Sequence, residues 1–366
     1  MVSDLDTRSR AAERDGADPF GRLLDLHKSL EHLARRLEGK PFVSGWNADN
    51  PFRERFLGTL GAAGLDSTAY QSYTSDPILL GSIREMHRRF DGIELGDGNV
   101  LPGDGSTGLI ATTFLWLWGS GVREVWYVPT VHDTFYYYFR FLGLEVRRAA
   151  DRHPFEPGFE LDLPDRRTVL FVADPTWYVG QALADGVIDE LARWQAATGS
   201  LVFVDGTWQY LQWGPSRREA SARLDPDLTL RLVGPTKFLG LNGHRFSYLL
   251  APAGLRDRLA DVHENVHGST SVSNLEFARR AIAVMNAPEG NRPLTDHVAA
   301  TYRGLLERGL IETGIQPDCG LYCFARPTRP LPPHFAMGGE YYELDGYPGY
   351  LRVNLLGGEH LEALEG

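Results

Sequence analysis

Cysteine is scarce in this sequence. Only Cys319 and Cys323 occur among 366 residues, which excludes a disulfide-stabilised scaffold and a four-cysteine zinc site. Long apolar runs are also missing, since the longest, Leu109–Trp118, has roughly half the length that a membrane-spanning helix requires. The first twenty residues are charged and contain no apolar core, so no secretory signal is predicted. We therefore expect a cytoplasmic protein that contacts no membrane.

Basic residues are fewer than acidic residues in this sequence. Lys and Arg number 37 against 48 Asp and Glu, for a formal net charge of −11. Nonspecific nucleic-acid binding requires a basic surface, so no nucleic-acid partner is expected. The apolar fraction of 43% and the charged fraction of 23% are those of an ordinary globular protein. The chain length predicts about two domains.

Short apolar segments alternate with helical ones from about residue 100. Apolar segments that predict strands lie at 122–129, 144–149, 168–175, 200–206, 228–237 and 246–252. Uninterrupted apolar strands separated by helices are typical of a mostly parallel sheet with helices on both faces. After residue 255, two long helical segments precede strand-like segments at 320–327 and 349–357. These patterns predict an α/β fold, with a large domain built on that sheet and a smaller α+β domain.

The carboxyl ends of parallel strands are where such sheets bind ligands, and the first candidate site is the loop GDGSTG at 103–108. It precedes the apolar helix that begins near Leu109. At a helix N-terminus, the free N–H groups of Ser106 and Thr107 and the helix dipole favour a phosphate. The alternative is that Ser106 or Thr107 simply caps the helix.

Charged side chains occupy two further strand ends. Asp205 ends the apolar segment SLVFV, where it either contacts a ligand or begins an Asp-Gly turn. Lys237 precedes a glycine-rich loop and is a candidate for a Schiff base with an aldehyde. Eight residues later, Arg245 could clamp a phosphate.

Arg352 lies inside the apolar segment YLRVNLL. A buried arginine requires a partner, and either a carboxylate ligand or a structural Asp or Glu would serve.

Together the loop at 103–108, Asp205, the Lys237 loop and Arg352 describe a site for a phosphorylated aromatic cofactor. Lys237 would bond to it covalently, and Asp205 would pair with its ring nitrogen. Ser106, Thr107 and Arg245 would hold its phosphate.

This set and its order resemble the class I/II aminotransferases, which are fold-type-I pyridoxal-phosphate enzymes. The resemblance extends from about residue 40 to the end of the chain. PTKFLGLNGHRF at 235–246 resembles the family's Ser-Lys…Gly-x-Arg signature, with Thr236 in place of the Ser and the Lys–Arg spacing of eight intact. The resemblance implies pyridoxal 5'-phosphate as the cofactor, with Thr236 among the residues that bind it.

Two positions depart from the family pattern. The family's Asn-Pro-Thr-Gly segment reads Trp177-Tyr178-Val179-Gly180 here, and its Asp-x-x-Tyr reads Asp205-Gly-Thr-Trp208. The usual Asn and Tyr donors to the cofactor's phenolic oxygen are therefore absent. Trp208 could supply one N–H donor, Tyr210 could replace the phenol if the loop is shifted, and Trp177 is assigned to substrate binding.

Further assignments depend on the resemblance alone. His132 is the predicted residue that stacks on the cofactor ring. Tyr73 resembles the tyrosine that reaches the phosphate of a neighbouring subunit, which implies a homodimer with shared active sites. Gly45 and Trp46 resemble the segment that closes over the substrate, while Arg352 would grip an amino acid's α-carboxylate.

Four chain regions follow from this interpretation. Residues 1–18 are expected to form a flexible tail, and 19–50 an N-terminal segment that joins the small domain. The large cofactor-binding domain would span 51–254, and the small C-terminal domain 255–366.

The predicted function is that of an aminotransferase acting on an amino acid. An alternative is a specialised enzyme of the same fold that catalyses elimination, cyclisation or carbon–carbon bond formation on a bulky or cationic amino acid such as S-adenosylmethionine. Aromatic residues crowd this part of the chain, and their faces attract cations. A more remote alternative is a cofactor-binding regulator without catalysis.

Overall fold

The computed structural model describes residues 20–36, 43–45, 49–58, 68, 70–215, 218–331 and 336–365. The predicted tail at 1–18 and the substrate-binding candidate Trp46 lie outside these ranges. Among the described helices, none is both long and apolar enough to cross a membrane.

Ten α-helices lie within the described residues. They are α1 Gly21–Arg36, α2 Arg53–Leu57, α3 Pro77–Phe90, α4 Ser106–Gly119, α5 Asp133–Phe141, α6 Asp185–Thr198, α7 Pro235–Phe238, α8 Ala253–His267, α9 Val272–Asn286 and α10 Arg292–Glu307. The described strands are β1 Val100–Gly103, β2 Glu124–Tyr127, β3 Glu145–Arg148, β4 Val169–Ala173, β5 Leu201–Gly206, β6 Thr229–Val233, β7 Ser247–Leu250, β8 Ile311–Glu312, β9 Tyr322–Pro327 and β10 Leu351–Asn354.

Seven strands form the central sheet, in the order β1-β7-β6-β5-β4-β2-β3. Strands β2 to β6 pair in parallel, and β7 is antiparallel to both of its neighbours. Alternate residues of β4 enter different cores: Phe171 packs with Phe114 of α4 and Phe135 of α5, while Leu170 packs with Leu191 of α6. Because both faces are covered, the strands read as unbroken apolar runs. The predicted mostly parallel α/β fold is confirmed.

A second sheet has three antiparallel strands in the order β10-β9-β8. The N-terminal segment lies beside it, since the Asn354 N–H donates to Val43 O at 2.8 Å and the Asp49 N–H donates to Leu356 O at 2.8 Å. Helix α8 packs on α4, and α9 packs on α3. The domain boundary at residue 254 stays a prediction.

One strand prediction was too long. The apolar segment 228–237 was expected to be a single strand, but β6 ends at Val233 and the one-turn helix α7 begins at Pro235. Proline has no N–H for the sheet and its fixed φ suits the first turn of a helix. Lys237 therefore projects from a helical turn immediately beyond the strand.

Candidate active site

The central sheet brings the predicted residues to one edge. Asp205 stands at the end of β5, in register with Leu232 of the neighbouring parallel strand β6. Lys237 follows β6 by one helical turn. The loop after β1 leads directly into α4. Strand direction thus places a carboxylate, an amine and a helix N-terminus at the same end of the sheet.

Lys237 lies half-buried beside the indole of Trp208, with Nζ 5.1 Å from the ring centroid. Nζ donates to Asn242 Oδ1 at 3.1 Å. Burial and the positive charges of Arg245 and Arg352 lower the pKa of Lys237 to about 8, against the opposing effect of Asp205. Near neutral pH a larger fraction of this amine is therefore uncharged and able to act as a nucleophile or accept a proton.

The Asp205 carboxylate is held at its strand end by its own turn. Its side chain is 5% exposed. Oδ1 accepts from the Thr207 N–H at 3.2 Å and from Thr207 Oγ1 at 2.5 Å. The predicted Asp-Gly turn and the predicted ligand contact are compatible, because the turn itself orients the carboxylate.

The loop before α4 forms a cradle under Arg245. Gly105 has φ +87°, and a Cβ at this position would lie 3.0 Å from Arg245 Nη2, so glycine is required for both conformation and space. No side chain caps α4 at Gly105, which removes the alternative that Ser106 or Thr107 serves as the cap. The guanidinium over a helix N-terminus fits an anion such as a phosphate.

Arg352 is 1% exposed and lies on β10. Its Nη2 donates to Ser44 O, and its Cζ lies 4.5 Å from the Tyr322 ring centroid. Among the described residues, no Asp or Glu carboxylate lies within 4.0 Å of its guanidinium nitrogens, and no acceptor is found for Nε. The structural counter-ion that the sequence left open is therefore not found within the described ranges.

Aromatic rings pack beside Lys237 and Arg352, and the region around these side chains is called the cleft below. Trp177 and Trp208 stack at 6.2 Å between centroids and 15° between planes. His132 lies 5.7 Å from Trp177, and its Nδ1 is 2.7 Å from Asp133 Oδ1. Burial lowers the pKa of His132, but Asp133 and Asp205 outweigh it, so the net pKa is raised.

Three predicted residues make contacts other than those expected. The Tyr73 hydroxyl donates to Asp104 Oδ1 of the same chain at 2.8 Å. The Tyr210 hydroxyl donates to buried Asp91 at 2.7 Å, so this phenol is committed to an internal network. Thr236 Oγ1 donates to Phe246 O at 2.9 Å, which ties α7 to the loop that carries Arg245.

Gly45 lies at the edge of the cleft. Its carbonyl accepts from Asn354 Nδ2 at 3.0 Å, two residues along β10 from Arg352. This places the predicted closing segment next to the predicted carboxylate site.

Two further residues of the cleft were missed. Asn242 contacts Lys237, and its position in the glycine-rich loop was a usable signal. Tyr322 packs under Arg352 because β9 pairs with β10 so that Tyr322 opposes Asn354, which places it diagonally across from Arg352. No local pattern predicts that register.

The comparisons with known proteins place this arrangement among related folds. The family model for aminotransferase class I and II matches residues 61–293. A search of curated proteins finds no match. Each solved structure below is under 25% identical to this chain, so the likeness shows the fold.

An N-succinyldiaminopimelate aminotransferase from Mycobacterium tuberculosis is 17% identical, with a TM-score of 0.75 over 93% of this chain and 95% of that one. A mutant aspartate aminotransferase from Thermus thermophilus is 18% identical, with a TM-score of 0.72 over 97% of each chain. An Escherichia coli protein with a methionine aminotransferase function is 17% identical, with a TM-score of 0.73 over 92% of this chain and 94% of that one.

Proposed function

This chain belongs to the class I and II aminotransferases, a family of pyridoxal-phosphate-dependent transferases, and from that premise we propose that its cleft transfers the amino group of an amino acid held by its carboxylate on Arg352. The observation that carries this proposal is the buried Arg352 cation, for which the described residues supply no carboxylate. A carboxylate ligand would satisfy it with charge-assisted hydrogen bonds.

The donor set fits pyridoxal phosphate. Arg245 and the N–H groups of Ser106 and Thr107 would hold its phosphate, because no side chain caps the helix N-terminus at Gly105 and the Arg245 guanidinium lies against that glycine. Asp205 would accept a hydrogen bond from the protonated ring nitrogen, and His132 would lie against the ring. When bound, the cofactor supplies an aldehyde for primary amines and a ring that accepts electrons as the α-proton leaves.

Lys237 is the proposed catalytic base. With a pKa of about 8, its Nζ is partly uncharged near neutral pH, so it can accept a proton and return it. The Trp208 ring limits the positions open to Nζ. Arg352 and Lys237 thus have different roles: Arg352 orients the substrate, and Lys237 accepts and returns the proton.

We also propose a homodimer in which the partner completes each site. Tyr70 is 96% exposed and precedes Gln71, which bridges to Thr270. Ile78 and Val266 are exposed apolar side chains on α3 and α8. Because Tyr73 contacts Asp104 of the phosphate loop, a second copy that covers this face would lie next to the cofactor site. Light scattering of the full chain should give twice the monomer mass, and a fully active monomer would contradict the proposal.

The cytoplasmic location stays a proposal. Cys319 and Cys323 are buried free thiols, which suits a reducing compartment.

A labelling experiment tests the function. The sequence contains only Lys28, Lys40 and Lys237, so borohydride reduction of the cofactor-loaded enzyme and peptide mapping should place a pyridoxyl group on Lys237. Lys237→Ala should lose the label and turnover, whereas Lys28→Ala, which alters an exposed lysine of α1, should retain both. Label on Lys28 or Lys40 would refute the assignment.

A panel of amino acids followed by mass spectrometry then identifies the reaction. Keto acid and pyridoxamine phosphate are the expected products. Eliminated or cyclised products would instead support the specialised alternative, which the aromatic wall of Trp177 and Trp208 favours.

A further inference from the structure

Two buried donors in the cleft have no acceptor among the described residues. They are Trp177 Nε1 and Arg352 Nε, on side chains that are 6% and 1% exposed. Buried N–H groups in proteins almost always have a partner. Both groups can only donate, so an oxygen acceptor is what each lacks.

The two donors belong to one stack of side chains. Arg352 Cζ lies 5.2 Å from the centroid of the Trp177 ring. Trp208 stacks on the same indole, and Tyr342 packs edge-on against it with centroids 5.7 Å apart. Because rings surround it, the indole has little freedom to turn its N–H elsewhere. Both donors without an acceptor therefore belong to side chains that pack against each other.

Three other described tryptophans have an acceptor for the indole N–H. Trp194 Nε1 donates to Pro164 O at 2.7 Å, and Trp213 Nε1 donates to Gly320 O at 2.9 Å. Trp126 Nε1 donates to Glu124 at 2.8 Å. Among the described residues, Trp177 is thus the tryptophan whose buried indole N–H has no acceptor.

We propose that Trp177 Nε1–H is a specificity-determining donor to an anionic oxygen of the bound molecule, acting beside Arg352. The inference rests on the proposed function, because it places that oxygen in the same cleft. Two sources share this chemistry: the carboxylate of the amino acid and an oxygen on the cofactor ring. The indole N–H therefore favours ligands that place an oxygen acceptor at this position over ligands that lack one.

The test removes the N–H and retains an apolar ring. Trp177→Phe is compared with Trp194→Phe, which makes the same change in size at a buried tryptophan whose N–H already has a partner. If Trp177→Phe fails to fold, replacement of Trp177 by 3-benzothienylalanine keeps the bicyclic shape without the N–H. The carboxylate probe is 3-phenylpropionate, titrated into the cofactor-loaded enzyme and followed by cofactor absorbance.

Two readouts distinguish the sources. If the acceptor is the carboxylate, Trp177→Phe should weaken 3-phenylpropionate binding by about 10-fold, since a neutral donor to a charged acceptor is lost. If the acceptor is the cofactor oxygen, the affinity for 3-phenylpropionate should stay unchanged. The apparent pKa in the absorbance titration of the cofactor-loaded enzyme should instead rise by about one unit, because the anionic oxygen loses a donor. Trp194→Phe should change neither quantity.

The inference is wrong if both quantities stay unchanged in Trp177→Phe, or if Trp194→Phe changes them equally. Borohydride labelling of Lys237 in the same variant separates this failure from that of the proposed function. Intact labelling with both the probe affinity and the pH titration unchanged counts against Trp177 alone, whereas absent labelling in the unmodified enzyme counts against the cofactor assignment itself.

Discussion

Substitution of Arg352 by methionine isolates the role of its charge. Methionine keeps an unbranched side chain against Trp177 and Tyr322 but removes the guanidinium. Arg352 is 1% exposed, and the one described hydrogen bond of its side chain runs to Ser44 O. Loss of that bond removes stability, while removal of a desolvated cation restores some. We therefore expect the free energy of unfolding, measured without ligand, to change by no more than about 1 kcal/mol.

Ligand binding should respond far more strongly. Removal of one partner from a buried, hydrogen-bonded charge pair costs about 2–5 kcal/mol, which corresponds to a loss of affinity of roughly 30-fold to more than 1,000-fold. Arg352→Lys keeps the charge without the forked geometry, so its amino-acid affinity should lie between those of the unmodified protein and Arg352→Met. The amine that corresponds to each amino acid, lacking the carboxylate, should bind equally well to all three proteins.

The same substitution should also change Lys237. Arg352 contributes to the lowered pKa of Lys237, so removal of its positive charge favours the protonated amine and the pKa should rise above about 8. The rate of amine modification against pH in the cofactor-free protein measures this shift.

Arg326→Met is the matched control for Arg352→Met. Arg326 stands on the neighbouring strand β9 but is exposed and paired with Glu312. This control should leave both amino-acid affinity and the Lys237 pKa unchanged. Unchanged amino-acid affinity in Arg352→Met, or equal losses for amino acid and amine, would refute the carboxylate assignment.

Two more substitutions test the cofactor contacts. Arg245→Ala should weaken retention of the cofactor, and the binding of inorganic phosphate, by roughly 10- to 150-fold, because it removes charge-assisted bonds at the Gly105 cradle; tight retention on dialysis would make Arg245 structural. Asp205→Ala should still bind the cofactor but lose turnover by roughly the same factor, since the ring nitrogen loses its charged partner; a near-normal kcat would contradict that role.

Local sequence patterns were sufficient for most of the fold. The unbroken apolar segments predicted the parallel strands because both faces of the sheet are covered, as the opposite orientations of Leu170 and Phe171 show. The aromatic helix α5 was not predicted, since most side chains of its DTFYYYFRF segment are aromatic, and aromatic residues favour strands.

The order and spacing of the chemical groups follow from the amino-acid sequence alone. Lys237, Arg245 and the loop at Gly105 are each defined by neighbours within about ten residues, and strand direction alone brings their loops to one edge of the sheet. Those relations are local, so they can be derived without coordinates.

Which of these groups have hydrogen-bond partners depends on the three-dimensional fold. Tyr210 follows the site motif in sequence, but its hydroxyl binds Asp91, 119 residues away. Arg352 meets Ser44 across 308 residues, and Trp177 keeps an N–H without an acceptor. Burial and hydrogen bonding depend on contacts between distant segments, and it is those contacts that leave a cation and an indole donor available to a ligand.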